Sequence, residues 1–172
     1  VRSRVDGEVM KISFAEGQSV KAGQILAEID PRPFEVQLDQ ANAQLAHDQA
    51  TLKNAQADLT RYRGAPETVS KQQIDTQAAL VEQDQAVIKT DQALIDNARL
   101  QISYCQIKAP VAGRIGFRHA DVRNIVHATD ATGLAVITQI RPIAVVFTVS
   151  ESQIARVVHS MGAVPGGKLT VE

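Results

Sequence analysis

Leu38, Leu45, Leu52 and Leu59 recur at every seventh position, and beyond a Gly/Pro break Ile74, Val81, Ile88, Ile95 and Ile102 recur at the same interval. A seven-residue apolar repeat keeps one stripe of a helix turned toward a partner, so two such series joined by a short break predict an antiparallel helical hairpin. Ala41, Asp48, Ala55 and Tyr62 fill the alternate inward positions of the first series; small residues there let the arms approach closely, and Asp48 is the exception. Asp30 is placed to cap the first helix, Pro31 and Pro33 suit its first turn, and the helix is expected to reach about Arg63. Gly64-Ala-Pro-Glu-Thr68 ends it, and Ser70-Lys-Gln-Gln73 has the form of a capping box that starts the second helix. At ~1.5 Å per residue, each arm is roughly 45–55 Å long. Leu80, Val87 and Leu94 add a second apolar row beside Val81, Ile88 and Ile95, open to two readings: a broad core stripe, or a surface for a neighbouring helix.

The segments on either side of the hairpin resemble each other. Val5-Asp-Gly-Glu-Val9, Lys11-Ile-Ser-Phe14 and Ile25-Leu-Ala-Glu-Ile29 alternate apolar and polar residues in short runs punctuated by Gly7, Gly17 and Gly23, the pattern of short strands and tight turns. Ala109-Pro-Val-Ala-Gly-Arg-Ile115 restarts it: Gly113 falls opposite Gly7, Ile115 opposite Val9 and Val126 opposite Val20 at a constant offset. With a gap of two, Ile137 falls opposite Ile29. Two half-domains are therefore expected to build one β-sandwich by pseudo-symmetry, with the hairpin inserted between them. Arg123 and Thr129 stand where Gly17 and Gly23 predict glycines, which makes the second half the looser copy. From Arg141 onward the pattern changes. Pro142 to Val149 reads as a strand, Ser150-Glu-Ser-Gln153 as another capping box, Ile154, Val157, Val158 and Met161 as one face of a short helix, and Lys168 to Glu172 as a further strand.

Composition excludes several function classes. The chain has 172 residues, a hairpin of this length leaves only about half of them for compact cores, and an elongated mixed β-plus-α protein follows. Aromatic residues make up 3%, Trp is absent and the net charge is −1, so neither base stacking nor attraction to nucleic acid has material to work with. Cys105 is the single cysteine, which excludes an internal disulfide and leaves it as a small buried residue near the end of the second helix. His47, His119, His127 and His159 lie in different elements, and no phosphate loop or nucleophile elbow is present. Asp39, Asp58, Glu82 and Asp96 are spaced as a solvated face. No catalytic residue, cofactor or metal is expected. The longest apolar runs, such as residues 143–149, are too short to span a bilayer, and any targeting or membrane-attachment segment is expected to lie outside this chain.

Val5-Asp-Gly-Glu-Val9, Glu16-Gly-Gln-Ser-Val-Lys-Ala-Gly23, Leu26-Ala-Glu-Ile-Asp-Pro31, Ile107-Lys-Ala-Pro-Val-Ala-Gly-Arg-Ile115 and Pro142-Ile-Ala-Val-Val-Phe-Thr-Val149, in this order around a heptad hairpin, resemble the periplasmic adaptors, or membrane fusion proteins, of RND-type tripartite multidrug efflux pumps. The resemblance implies a split lipoyl-like β-sandwich domain over residues 1–30 and 107–139, with turns at Gly7, Gly17, Gly23, Pro110 and Gly113. It implies an α-helical hairpin over 31–106 and the incomplete start of a β-barrel domain over 140–172. It further implies a non-catalytic periplasmic subunit, associated with the inner membrane of a Gram-negative bacterium, that links an inner-membrane RND transporter to an outer-membrane duct and self-associates into a ring. At the hairpin tip, where the family commonly presents an Arg, a Leu and a Ser to the duct, Arg61 and Ser70 match the Arg and Ser. Ala65 stands at the Leu position, in a connection about two residues shorter. Two rival readings share parts of the pattern: an adaptor of a type I secretion or ABC-type exporter, and a lipoyl or biotinyl carrier domain. A carrier needs an exposed lysine in the turn between its halves, and that turn is replaced here by the hairpin.

Overall fold

The computed structural model describes residues 1–65, 67–141, 148 and 150–162. Two compact units divide at Gln139 and Ile140. The first contains strands β1 (Gly7–Ile12), β2 (Ser19–Val20) and β3 (Ile25–Ile29), then helices α1 (Arg32–Gly64) and α2 (Lys71–Tyr104), then strands β4 (Gln106–Lys108), β5 (Gly113–Arg118), β6 (Ile125–Val126) and β7 (Ala135–Thr138). The second contains α3 (Glu151–Gly162), opened by the Gln153 N–H donating to the Ser150 carbonyl at 2.9 Å, with Ile154 and Val158 exposed. The strands expected over 142–149 and 168–172 lie outside the described residues.

The β-unit is built by exchange between the sequence halves. One sheet has the order β4-β3-β1-β6 and the other β2-β5-β7, all neighbours antiparallel. The first half lends β2 to the second half's sheet, where Val20 pairs with Gly113, and receives β6 in return, where Val126 pairs with Gly7. Within each half the equivalent strands also pair in equivalent register, Val9 with Ile29 and Ile115 with Ile137. Loop bonds repeat the relation: the Gly17 N–H donates to Ile115 O at 2.9 Å and the Arg123 N–H to Val9 O at 2.8 Å. The repeat legible along the chain is thus a pseudo-twofold axis in space.

Alternation of apolar residues along such short strands sends every second side chain inward. Val9, Ala27, Ile29, Ile107, Val126 and Leu134 close one core cluster, and Val20, Leu26, Ala109, Ile115 and Ala135 the other. Leu26, Ile29, Ile115 and Val9 are essentially without solvent contact. Gly7 and Gly113 share one reason for being glycine: a Cβ at Gly7 would lie 2.6 Å from Ile29 Cγ2, and at Gly113 it would lie 2.9 Å from Ile137 Cγ2 and collide with the Thr138 carbonyl. The two residues opposite, Ile29 and Ile137, are again repeat equivalents.

α1 has 33 residues and α2 has 34, which at ~1.5 Å per residue makes both arms about 50 Å long. α1 starts with Pro31 in the cap position and Pro33 in the first turn, so the cap residue itself has no side-chain acceptor; the Asp30 carboxylate, one residue earlier, accepts the Arg32 backbone N–H at 3.0 Å instead. α2 opens with the capping box: Ser70 Oγ accepts the Gln73 N–H at 3.2 Å and Gln73 Oε1 accepts the Ser70 N–H at 3.0 Å. The seven-residue spacing places Leu38, Leu45, Leu52, Ile74, Ile88 and Ile102 half-buried and Leu59, Val81 and Ile95 buried. Leu80, Val87 and Leu94 are exposed, at 41%, 39% and 52%, and so form an outer row beside the seam. The helical period explains the split: residues one position apart differ by roughly 100° around the axis, enough to turn the neighbouring row out of a narrow two-helix contact.

Candidate functional site

The hairpin is gripped at its base by the β-unit. The Ile29 N–H donates to the Cys105 carbonyl at 2.8 Å, tying the strand that precedes α1 to the residue that follows α2. Cys105 itself is 3% exposed and belongs to the core cluster of the β-unit. Beside it, the Arg32 guanidinium forks onto the Asp30 carboxylate, with Nε to Oδ1 at 2.9 Å and Nη2 to Oδ2 at 2.6 Å. These side-chain and backbone hydrogen bonds from Arg32 hold the Asp30 carboxyl below the usual carboxylate range. Both ends of the insertion are therefore anchored in the same few residues.

At the other end, Arg61 is exposed in the last turn of α1 and paired with Asp58 on the same helix. Ala65 is the C-cap of α1, exposed, with φ −131° and ψ 56°; its N–H donates to Tyr62 O at 3.3 Å and its carbonyl accepts the Thr68 N–H at 3.1 Å. Ser70 is exposed, but its hydroxyl is engaged in the capping box. Below the tip, Gln77 Nε2 crosses from α2 to donate to the Ala55 carbonyl of α1 at 3.0 Å, and Ala55, Leu59 and Val81 form a buried cluster. The chain thus presents Arg61, Ala65 and Ser70 from a tip closed by local bonds.

The turns of the β-unit carry the other predicted residues. Gly17 and Gly23 have positive φ, 75° and 80°, as their turns require. Arg123, opposite Gly17, adopts the same φ of 75° without being glycine, while Thr129, opposite Gly23, does not. Pro110 is exposed in the bend before β5. His47, His119, His127 and His159 are exposed and dispersed, and among the described residues no three His, Cys, Asp or Glu side chains are grouped to hold a metal. A cleft of about 580 Å³ between the start of the chain and residues 103–110 is lined by Arg2, Arg4, Tyr104 and Lys108 among others, without histidine or carboxylate. Arg4 lies over the Tyr104 ring there at 5.0 Å. Among the described residues no helix is long and apolar enough to cross a membrane.

Sequence spacing missed one feature of the hairpin, the burial of Asp91 at 4% exposure. Asp84, Asp91 and Ala98 repeat at seven-residue intervals on α2, with Cys105 one interval further at its C-cap, as Ala41, Asp48, Ala55 and Tyr62 do on α1. That second series was the available signal.

A pseudo-twofold β-unit whose halves are separated by a coiled-coil hairpin defines the barrel-sandwich hybrid class of architecture. The family described as "RND MFP, barrel-sandwich hybrid domain" matches residues 1–138, and the chain belongs to this family of membrane fusion proteins. It is 52% identical over 162 residues to the multidrug resistance protein MdtA of Yersinia pestis (strain Pestoides F), covering 93% of this chain and 36% of that protein. It is 49% identical over 174 residues to MdtA of Pantoea ananatis (strain AJ13355), covering 100% of this chain and 42% of that one. The chain therefore spans less than half the length of these relatives. Among solved structures, a MacA–MexA chimera containing the Pseudomonas aeruginosa MexA α-hairpin domain is similar at TM-score 0.51 and 28% identity, over 79% of this chain and 45% of that one. The fold is shared with ZneB of Cupriavidus metallidurans at TM-score 0.56 and 20% identity, over 81% of this chain and 60% of that one.

Proposed function

We propose that this chain is part of a non-catalytic adaptor that links an inner-membrane RND transporter to an outer-membrane duct in multidrug efflux, working from the periplasm as a ring of copies attached to the inner membrane. One observation carries the reading: a hairpin about 50 Å long is held at both ends by a single β-unit through the Ile29–Cys105 bond and the buried Cys105. A pair of helices fixed in this way keeps its far end at a defined reach, which is what a bridging part needs and what core packing does not. Kinship to proteins named for multidrug resistance supports the export role.

In this reading residues 1–30 and 107–139 are the lipoyl-like domain, 31–106 the hairpin and 140–172 the beginning of a β-barrel domain. The tip residues Arg61, Ala65 and Ser70 meet the duct. The seam from Leu38 to Leu59 and from Ile74 to Ile102 sets the reach, and the turns at Gly17, Gly23 and Pro110 shape the β-unit that holds the base, while Gly7 and Gly113, expected in turns, open strands β1 and β5 and serve through their close packing on Ile29 and Ile137.

Cross-linking in cells tests it. With Cys105 replaced by Ala, a single cysteine at Arg61 or Ala65 should capture an outer-membrane duct protein, and one at the exposed mid-helix position Gln92 should not. Ser70 is avoided because its hydroxyl caps α2. Capture of a duct by neither tip position, in cells that contain the folded protein, would remove the tip from the proposed contact.

A further inference from the structure

The two sheets of the β-unit end beside one cleft. β4 is the outermost strand of the sheet β4-β3-β1-β6, and β7 that of the sheet β2-β5-β7. Val1 extends the second sheet: its nitrogen donates to Ala135 O at 2.7 Å and its carbonyl accepts the Leu134 N–H at 2.8 Å. At the offset that relates Gly7 to Gly113, Val1 and Arg2 are the repeat equivalents of Ile107 and Lys108 in β4. Residues 1–4 and β4 are thus counterparts across the pseudo-twofold axis, and both line the cleft of about 580 Å³. No backbone hydrogen bond joins residues 2–4 to residues 104–110, so the two segments do not close on each other.

The backbone of β4 is satisfied on one side. Cys105 O accepts the Ile29 N–H at 2.8 Å and the Ala109 N–H donates to Gln24 O at 2.9 Å, both toward β3. Alternation along a strand then turns the N–H and C=O groups of Gln106 and Lys108 outward, to the edge that borders the cleft. Side chains alternate as well: Ile107 and Ala109 are buried, Gln106 and Lys108 exposed, and across the cleft Ser3 is buried between exposed Arg2 and Arg4. The cleft therefore combines an open strand edge with three cations. Among the described residues Arg2, Arg4 and Lys108 form no ion pair. Arg4 lies over the Tyr104 ring at 5.0 Å, and no carboxylate lines the cleft.

We infer that the β4 edge is a docking site for an extended acidic segment of a partner polypeptide, which adds as a strand outside β4 and sets carboxylates at every second residue against Arg2, Arg4 and Lys108. Backbone bonds to Gln106 and Lys108 hold the segment, and the cations choose it. Alternate residues of an added strand point to opposite faces, so a segment that alternates acidic with apolar residues keeps its acids on the solvent side with Lys108 and its apolar side chains beside Ile107. The same charges repel a second copy of this edge, so the cleft selects an acidic strand over one of its own kind.

An NMR titration of the whole isotope-labelled chain with the peptide acetyl-Glu-Val-Glu-Val-Glu-amide tests the site. The backbone amides of Gln106 and Lys108 and the Nε–H groups of Arg2 and Arg4 should shift, and the lysine counterpart acetyl-Lys-Val-Lys-Val-Lys-amide should leave them in place. Arg2→Gln combined with Lys108→Gln should weaken binding about tenfold and leave the helical melt unchanged, since both side chains are exposed. N-methylation separates strand addition from attraction of charge alone. Methylating the Glu amides or the Val amides keeps the charge, and one of these two versions should lose binding because its blocked N–H groups are those that face β4. Unmoved amides at 106 and 108, an equal response to the lysine peptide, binding retained by both methylated versions, or the same shifts from inorganic phosphate would each overturn the site.

Discussion

Arg123 holds a left-handed backbone, φ 75°, which costs a side chain with a Cβ about 1–2 kcal/mol. It does so because its N–H must reach the Val9 carbonyl, as the Gly17 N–H reaches Ile115 on the other side of the pseudo-twofold axis. Arg123→Gly should therefore stabilise the β-unit, by about 0.5–1 kcal/mol once the extra chain entropy of glycine is set against the relieved strain. Gly113→Ala should destabilise it, by about 1–3 kcal/mol, because the added methyl meets the Thr138 carbonyl as well as Ile137. Urea denaturation of the two variants checks both signs, and an unstable Arg123→Gly would show that the arginine side chain contributes more than its backbone costs. Spacing alone identified Gly113 as the partner of Gly7, yet made Arg123 a departure from the repeat. The turn geometry is common to both halves and only the residue type differs, a distinction that the identity of one residue does not reveal.

The hairpin follows from local rules to an unusual degree. Heptad spacing, the Gly64 break and the Ser70 capping box each act over a few residues, and all three are present in the structure. Ser70→Ala should cost about 1 kcal/mol, since the Gln73 N–H loses its acceptor at the start of α2. Neighbouring residues separate the inner and outer faces more sharply. Ile95 is 1% exposed and Leu94 is 52% exposed. Ile95→Ala should then cost about 2–5 kcal/mol and Leu94→Gln no more than about 0.5 kcal/mol; a large loss from Leu94→Gln in chemical denaturation would mean that the outer row is covered. The row of Leu80, Val87 and Leu94 was open to two readings because a broad stripe and a narrow stripe with an apolar flank look alike along the chain. Exposure excludes the broad core stripe, through the small width of a two-helix contact.

At the scale of the unit formed by residues 1–139, the connection through the hairpin tip is dispensable for holding the halves together. Each half completes the other's sheet through β1–β6 and β2–β5, and the two core clusters draw on both sides of the insertion. A protease site placed in the connection at residues 65–69 should, after cleavage, leave two fragments that co-elute in gel filtration with their helical signal intact; separation of the fragments would mean that the exchange of strands is weaker than the register implies. The sequence by itself determined the hairpin, its approximate ends and the equivalence of the flanking segments, because periodicity, caps and repeats are properties of neighbours in the chain. Only the tertiary structure decided that the repeat is a strand exchange, that Arg123 shares the conformation of Gly17, and that Asp91 is shut away from water inside the hairpin. Each of these depends on what stands opposite a residue, and the energy of a strained turn or a buried carboxyl is set by that neighbour rather than by the residue's place in the chain.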